Sequence, residues 1–377
     1  MRIYFTPLLP LCLLTLAPIV FAQQYTPHPF LDSSFSSWHG FSVTETGVQK
    51  LTSKFLHNLG IPVDDIDPRT IRIYGRGGQM LPLKAAANTE TLHENALWVV
   101  GEEDGKFDPE DYILFMGDVG DTWSKESLTF VNLYHTTANY YITYGSSLGK
   151  RVLFVPTNAS TNTDAQDAVT FQTHHEEDLY NLGALGRRWF GTRFTDEQKE
   201  SFDLITPNVK ESTAIDIVAR VAAVSNTQSS FTLKSGSNHA IGYMRSFKGT
   251  IVATEPAQLH NSLSGAIHLQ TTAAAEINCE LSFSANGNFS ANGYLDFIFA
   301  QYKRKLLGTG GDFIFTLDPN ESVQQLMVAE VTPETAIWEL GDQAIVHIAP
   351  EEANSFWTDV LVDTANNRFF LETSYKT

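Results

Sequence analysis

Beyond residue 212, apolar residues recur at every second position. Ile215, Ile217, Ala219, Val221 and Ala223 form one such run, with Asp216 and Arg220 between them. Ile277, Cys279, Leu281 and Phe283 form another, alternating with Asn278, Glu280 and Ser282. A period of two puts successive side chains on opposite faces, so each run predicts a strand with one face in a core. Further runs over 294–302, 313–317, 325–331 and 344–348, separated by Gly and Asn turns, predict an antiparallel β-sandwich, jelly-roll-like, over 212–377.

The first part of the chain reads differently. Phe55 and Leu59 stand at i and i+4 behind Thr52, with Gly60 as a stop, and predict one short helix over 53–59. Strands are predicted over 70–74, 96–100, 112–115, 140–144 and 151–155, the last two paired across Gly145 to Gly149. Together they predict a small α+β or mostly β domain over 25–157. Residues 157–167 carry no hydrophobic period and 171–202 are mixed, so 158–211 reads as a linker and mixed connection.

Composition narrows the function classes. Of 377 residues, 42% are hydrophobic and 18% charged, which is the make-up of a folded protein with a sizeable core. The net charge of −18 argues against a nucleic-acid partner and against an anionic membrane surface. Met1-Arg2 followed by the apolar run from Leu8 to Val20, with Val20-Phe21-Ala22 ahead of Gln23, reads as a secretory signal peptide over 1–22. The run falls short of the roughly 20 apolar residues of a membrane span, and no transmembrane span is expected elsewhere. Cleavage removes Cys12 and leaves Cys279 as the one thiol, so no internal disulfide can form.

Residues that could carry chemistry each meet a plainer explanation. Gly145-Ser146-Ser147-Leu148-Gly149 has the letters of a nucleophile elbow, but a second strand follows where that motif needs a helix. Cys279 shares the inward face of its strand and has no cationic sequence neighbour, so it reads as a packing residue. His174-His175-Glu176-Glu177-Asp178 resembles a ligand cluster but lacks a second ligand pair, and reads as a solvated acidic loop. The 102–111 turn resembles a calcium loop, yet the first ligand position is Val100, which offers no side-chain oxygen. Gly308-Thr309-Gly310-Gly311 lacks the Lys of a phosphate loop and reads as a turn. No catalytic residue, metal or cofactor is expected from this chain.

Several segments together carry a family resemblance. They are Ile66-Asp67-Pro68-Arg69-Thr70-Ile71-Arg72-Ile73-Tyr74-Gly75, the acidic run Gly101-Glu102-Glu103-Asp104-Gly105-Lys106-Phe107-Asp108, and Asp111-Tyr112-Ile113-Leu114-Phe115. Asp121-Thr122-Trp123, Asn139-Tyr140-Tyr141, Gly186-Arg187-Arg188-Trp189-Phe190-Gly191 and Tyr294-Leu295-Asp296-Phe297-Ile298 follow in order. The series resembles the N-terminal half of the type IX secretion sortases of Bacteroidetes, the PorU family. That resemblance implies an exported protein at the outer-membrane surface, in a family of gingipain-like cysteine peptidases. The family cleaves the C-terminal sorting domain of secreted cargo and attaches the cargo to lipopolysaccharide.

The family's catalytic His and Cys have no match here. The chain is therefore expected to be a non-catalytic accessory region, with the peptidase domain expected after residue 377. Its implied partners are that peptidase domain and outer-membrane secretion components. The alternative is a free-standing exported β-sandwich that binds glycan or protein at the cell surface. Arg187 and Trp189 are the expected partner contacts, because aromatic and Arg residues are enriched in interface cores and this stretch is locally basic. The plainer reading is that Trp189 and Phe190 both fill the joint between two domains.

Overall fold

A computed structural model of the chain describes residues 35–80, 92–120, 123, 129–130, 132, 134–159, 164–182, 188–246, 264–317, 323–341, 344–351, 353–362 and 367–376. The signal peptide expected over 1–22 lies outside these residues, as does Arg187. The described chain is mostly β and its sheets are almost wholly antiparallel.

The first unit holds β1 (Phe35–Val43), β2 (Gly47–Thr52), α1 (Ser53–Asn58), β3 (Arg72–Tyr74), β4 (Glu94–Asn95), β5 (Trp98–Val100), β6 (Tyr112–Gly117) and β7 (Ala138–Gly145). The helix starts where the sequence places it, because the Thr52 hydroxyl accepts the Phe55 N–H. The strands form two sheets, in the orders β1-β7-β3-β4 and β2-β6-β5. Leu51, Leu56, Ile73, Phe115, Tyr140 and Ile142 fill the space between them.

The hairpin expected between 140–144 and 151–155 does not form. Strand β7 already pairs with β1 on one edge and β3 on the other, so it has no free edge. Strand β8 (Leu153–Val155) instead runs parallel to a strand near the C-terminus.

The second unit is an antiparallel sandwich. Its strands are β9 (Ala168–Glu176), β10 (Arg193–Phe194), β11 (Lys199–Ile205), β12 (Ala214–Val224), β13 (Ser229–Ser235), β14 (Asn238–Met244), β15 (Ser264–Thr272), β16 (Glu276–Ser284) and β17 (Asn292–Lys305). One sheet has the order β10-β17-β12-β15, with β9 also on β17, and it faces the sheet β11-β16-β13-β14. Ile217, Ala219, Val221 and Ile298 meet Phe231, Cys279, Leu281 and Phe283 between the sheets. Three strands, β9 to β11, come from the stretch expected as a connection. Strand β9 escapes the period-two pattern because polar residues, Gln172, Thr173, His175 and Glu176, occupy its half-buried positions.

The last unit is β18 (Phe313–Thr316), β19 (Val323–Ala329), β20 (Ala336–Glu339), β21 (Ile345–Ile348), β22 (Ser355–Leu361) and β23 (Arg368–Glu372). These strands build two further sheets rather than extending the sandwich. The sheet β18-β23-β20-β21-β8 is covered on one face by the β19–β22 pair, through Ile337, Phe369, Leu326 and Phe356. Its other face packs on the first unit, with Trp338, Val346 and Phe370 against Val48, Leu114 and Val152. Backbone bonds fix the join: Lys50 N–H donates to the Lys376 carbonyl at 2.7 Å, and Lys376 N–H donates to Val48 at 2.8 Å.

Candidate functional site

Residues 178–182 and 188–191 lie on the outside of the sandwich beside β17. Tyr180 and Phe190 exchange two backbone bonds, at 2.8 and 2.9 Å. Phe190 turns inward onto Leu182, Ala222 and Tyr294, and Tyr180 meets the Tyr294 ring edge-on at 5.7 Å. Side chains one residue along an extended strip point the other way. Trp189 is accordingly 37% exposed and Leu179 61% exposed, whereas Phe190 is 3% exposed. The two aromatic neighbours thus separate: Phe190 packs on Ala222 and Tyr294 of the sandwich itself rather than in a joint between domains, and Trp189 looks outward with Leu179.

Arg188 anchors this strip from beneath. Its Nη2 lies 2.5 Å from the Asp296 carboxylate, which is 4% exposed. Arg220 Nε stands 3.5 Å from the same oxygen. Asp296 is the extra residue of a β-bulge: Arg220 faces Phe297 and Val221 faces Leu295, with Asp296 unmatched between them. A bulge re-aims one side chain out of the pleat. Burial pushes the Asp296 carboxyl up to about 6, against the lowering pull of Arg188 and Arg220.

Glu176 borders the same network from β9, paired opposite Phe297. It accepts hydrogen bonds from the Thr129 hydroxyl and the Phe130 N–H, each at 2.7 Å. Burial pushes it up to about 7, and Asp178 and Asp296 add to the rise. His174 stacks on Phe130 at 4.2 Å between ring centroids, and desolvation, helped by His175, lowers it to about 4. Trp123 lies against Phe130 and Phe297, at 4.7 and 5.3 Å. The run expected as a solvated acidic loop is therefore a strand in which Glu176 is half-buried, while His174 stays exposed beside Phe130. The sequence signal for this network was an Asp inside the apolar run 294–298.

Arg188, Arg220 and Asp296 hold one another in fixed positions beneath the strip that carries Trp189. Among the described residues, no group of three or more His, Cys, Asp or Glu is placed to hold a metal ion.

The other candidate residues are engaged elsewhere. Cys279 is fully buried, and burial, with Asp203 adding, pushes its thiol up to about 12. Ser147 accepts a hydrogen bond from Arg72 at 2.6 Å in a loop that leads to β8, with no helix behind it. In the acidic turn, Glu102 pairs with Arg151 at 2.8 Å and Asp111 accepts the Asp108 N–H. The carbonyls of Gly310 and Gly311 accept from Arg304.

Comparison with solved structures bears on the whole of this architecture. The crystal structure of dimeric latent PorU from Porphyromonas gingivalis overlays with a TM-score of 0.66, covering 90% of this chain and 32% of that one. The chain has a PorU-like fold. Sequence identity across the PorU match is 16%, so the likeness is one of fold, and the chain spans about a third of the PorU length. The Cry4Aa toxin of Bacillus thuringiensis aligns over 70% of this chain and 58% of its own, at 9% identity. Its TM-score of 0.24 is too low to bear on the architecture. No protein-family model matches the sequence, and no curated protein matches it.

Proposed function

We propose that this chain is the accessory, non-catalytic region of a type IX secretion sortase, exported by its 1–22 leader to the outer-membrane surface. The observation that carries the reading is the PorU-like fold, which runs through 90% of this chain yet accounts for 32% of the PorU chain. In this reading the region supports a gingipain-like peptidase domain, or docks it to the secretion machinery. Sorting-domain cleavage and attachment of cargo to lipopolysaccharide belong to that separate domain.

The docking surface is the strip that carries Trp189 and Leu179, with Arg187 beside them in sequence. It is apolar, exposed and braced from below by the Arg188–Asp296 pair. Rigid aromatic anchors of this kind lose little conformational freedom on binding.

Two experiments test the proposal. Gingipain-like coding sequence downstream of codon 377 supports it, and a stop followed by an unrelated gene overturns it. With such a peptidase domain co-expressed, the wild-type chain should co-purify with it and Trp189→Ala should not. Equal recovery of both chains removes the docking role from this strip.

A further inference from the structure

A cleft of about 790 Å³ opens where the three units meet. Thr44 and Val119 reach it from the first unit, Gln172, His174 and Gln301 from the sandwich, and residues 312–316 from β18. Its volume lies within the roughly 300–1,000 Å³ of small-molecule sites.

Strand pairing builds the polar part. Gln301 on β17 stands opposite Gln172 on β9, and it points away from the core that takes Ala300 and Tyr302. The Gln172 amide donates to the Gln301 side-chain oxygen at 3.0 Å. That bond uses one half of each amide. The Gln172 oxygen and the Gln301 NH2 group are left to accept from and donate to a ligand. Thr44 and Thr316 are exposed and add a hydroxyl each. His174 follows Gln172 on the same face, exposed beside Phe130. Desolvation and the neighbouring His175 lower it to about 4, so it meets a ligand as neutral imidazole.

Aromatic rings flank this polar centre. Phe171 and Phe313 meet edge to face at 5.2 Å. The Arg304 guanidinium stands over both rings, 4.7 and 3.8 Å from their centroids, and donates to the Gly310 and Gly311 carbonyls. Arg304 is 5% exposed and does not line the cleft, so it holds the two rings from outside. Farther along β9, Phe130 and Trp123 lie 4.7 Å apart.

No Lys or Arg is among the described lining residues, so nothing there attracts an anion. Of the two carboxylates, Asp312 is taken up by Thr373, Ser374 and Lys376, and Glu45 is exposed. Rings at the flanks and neutral donors and acceptors between them match a ligand with apolar faces and a hydroxylated edge. A sugar ring has that form, with C–H groups on its faces and hydroxyls around it. We propose that this cleft binds a neutral saccharide, its C–H face on the aromatic walls and its hydroxyls on Gln172, Gln301 and Thr316. The inference is independent of the sortase reading, because neither cargo nor peptidase enters its test.

The test applies the purified protein to an array of neutral and acidic glycans. A retained neutral glycan is then followed by calorimetry and saturation-transfer NMR. Neutral glycans should be retained and sialylated or uronate-bearing ones should not, and saturation should reach the C–H protons of the sugar ring. Gln301→Leu removes the free NH2 group at similar volume and should weaken binding roughly five- to tenfold. Thr316→Val should weaken it about threefold. Gln270→Leu lies on the same sheet but outside the cleft and should bind as the wild type does. Gln301 is half-buried and Thr316 and Gln270 are exposed, so the variants should fold, and an unchanged melting temperature verifies this. Retention of no neutral glycan overturns the proposal. Equal retention of acidic glycans, or full-strength binding by Gln301→Leu, also overturns it.

Discussion

The Asp296 carboxylate lies 2.5 Å from the Arg188 guanidinium, at the bulge where β17 slips one residue against β12. The pair ties the 188–191 strip, which carries the exposed Trp189, to the sandwich. Removing the carboxylate leaves Arg188 and Arg220 facing each other with their shared counter-charge gone. Asp296→Ala should therefore cost about 3–5 kcal/mol in urea unfolding. A triple change, Arg188→Met and Arg220→Met with Asp296→Leu, should recover much of that loss, because it removes the buried charge along with both of its partners. A loss below about 1 kcal/mol for Asp296→Ala would mean the pair behaves as a surface contact.

Phe190 and Trp189 should differ sharply despite being neighbours. Phe190→Ala empties a buried aromatic site and should destabilise by about 3–5 kcal/mol. Trp189 is 37% exposed, so Trp189→Ala should lose distinctly less. Its main effect is expected in partner retrieval, read as recovery per folded molecule. Equal losses of stability in the two variants would contradict the inward and outward assignment.

Beyond Asp296, raised to about 6, two further carboxyls, the buried Glu372 and the half-buried Glu176, bear on the pH dependence near neutrality. Burial pushes Glu372 up to about 8, and the hydrogen bond it accepts from the Trp338 indole at 2.7 Å works in the opposite direction. Burial pushes Glu176 up to about 7. Unfolded, both carboxyls return to an ordinary value near 4.5. Between these values the folded state holds protons that the unfolded chain has released, so stability falls as pH rises. Their stabilising contribution is complete below pH 4.5 and is lost through about 7 for Glu176 and about 8 for Glu372. The urea midpoint should drop across that window. Glu372→Gln keeps an acceptor for the indole and should flatten the upper part. A slope unchanged in Glu372→Gln would remove Glu372 from the account.

Cys279 should be inert in the folded protein. It sits fully buried between the two sheets, with its thiol pushed up to about 12. Reaction with a thiol reagent should be slow under native conditions and rapid in denaturant, followed by absorbance. Fast native labelling would place the thiol at the surface.

The readable parts of this fold were those where burial and local pattern agree. Strand β12 buries Ile215, Ile217, Ala219 and Val221 on one face, so the alternation is visible in the letters. The short helix announced itself through Thr52, whose hydroxyl caps it. The candidate site was half legible. The Arg-Arg-Trp-Phe composition marked the segment, but composition does not say which ring faces inward. That was settled by the backbone pairing of Phe190 with Tyr180.

By itself the sequence determined a mostly β chain, the alternating strands β12 and β16 of a sandwich and a buried cysteine, because strand period is a local property. Tertiary structure alone decided which edges meet. Strand β8 could not pair with β7, whose two edges were taken, and it joined a strand nearly two hundred residues away. The same holds for the buried line of hydrogen bonds from Thr358 through His347 to Glu339, each 2.7–2.8 Å long. It links β22 to β21 and β20, and its members look unremarkable in sequence. Polar residues enter a core only where distant strands bring their partners to them, and that proximity depends on the packing of whole sheets.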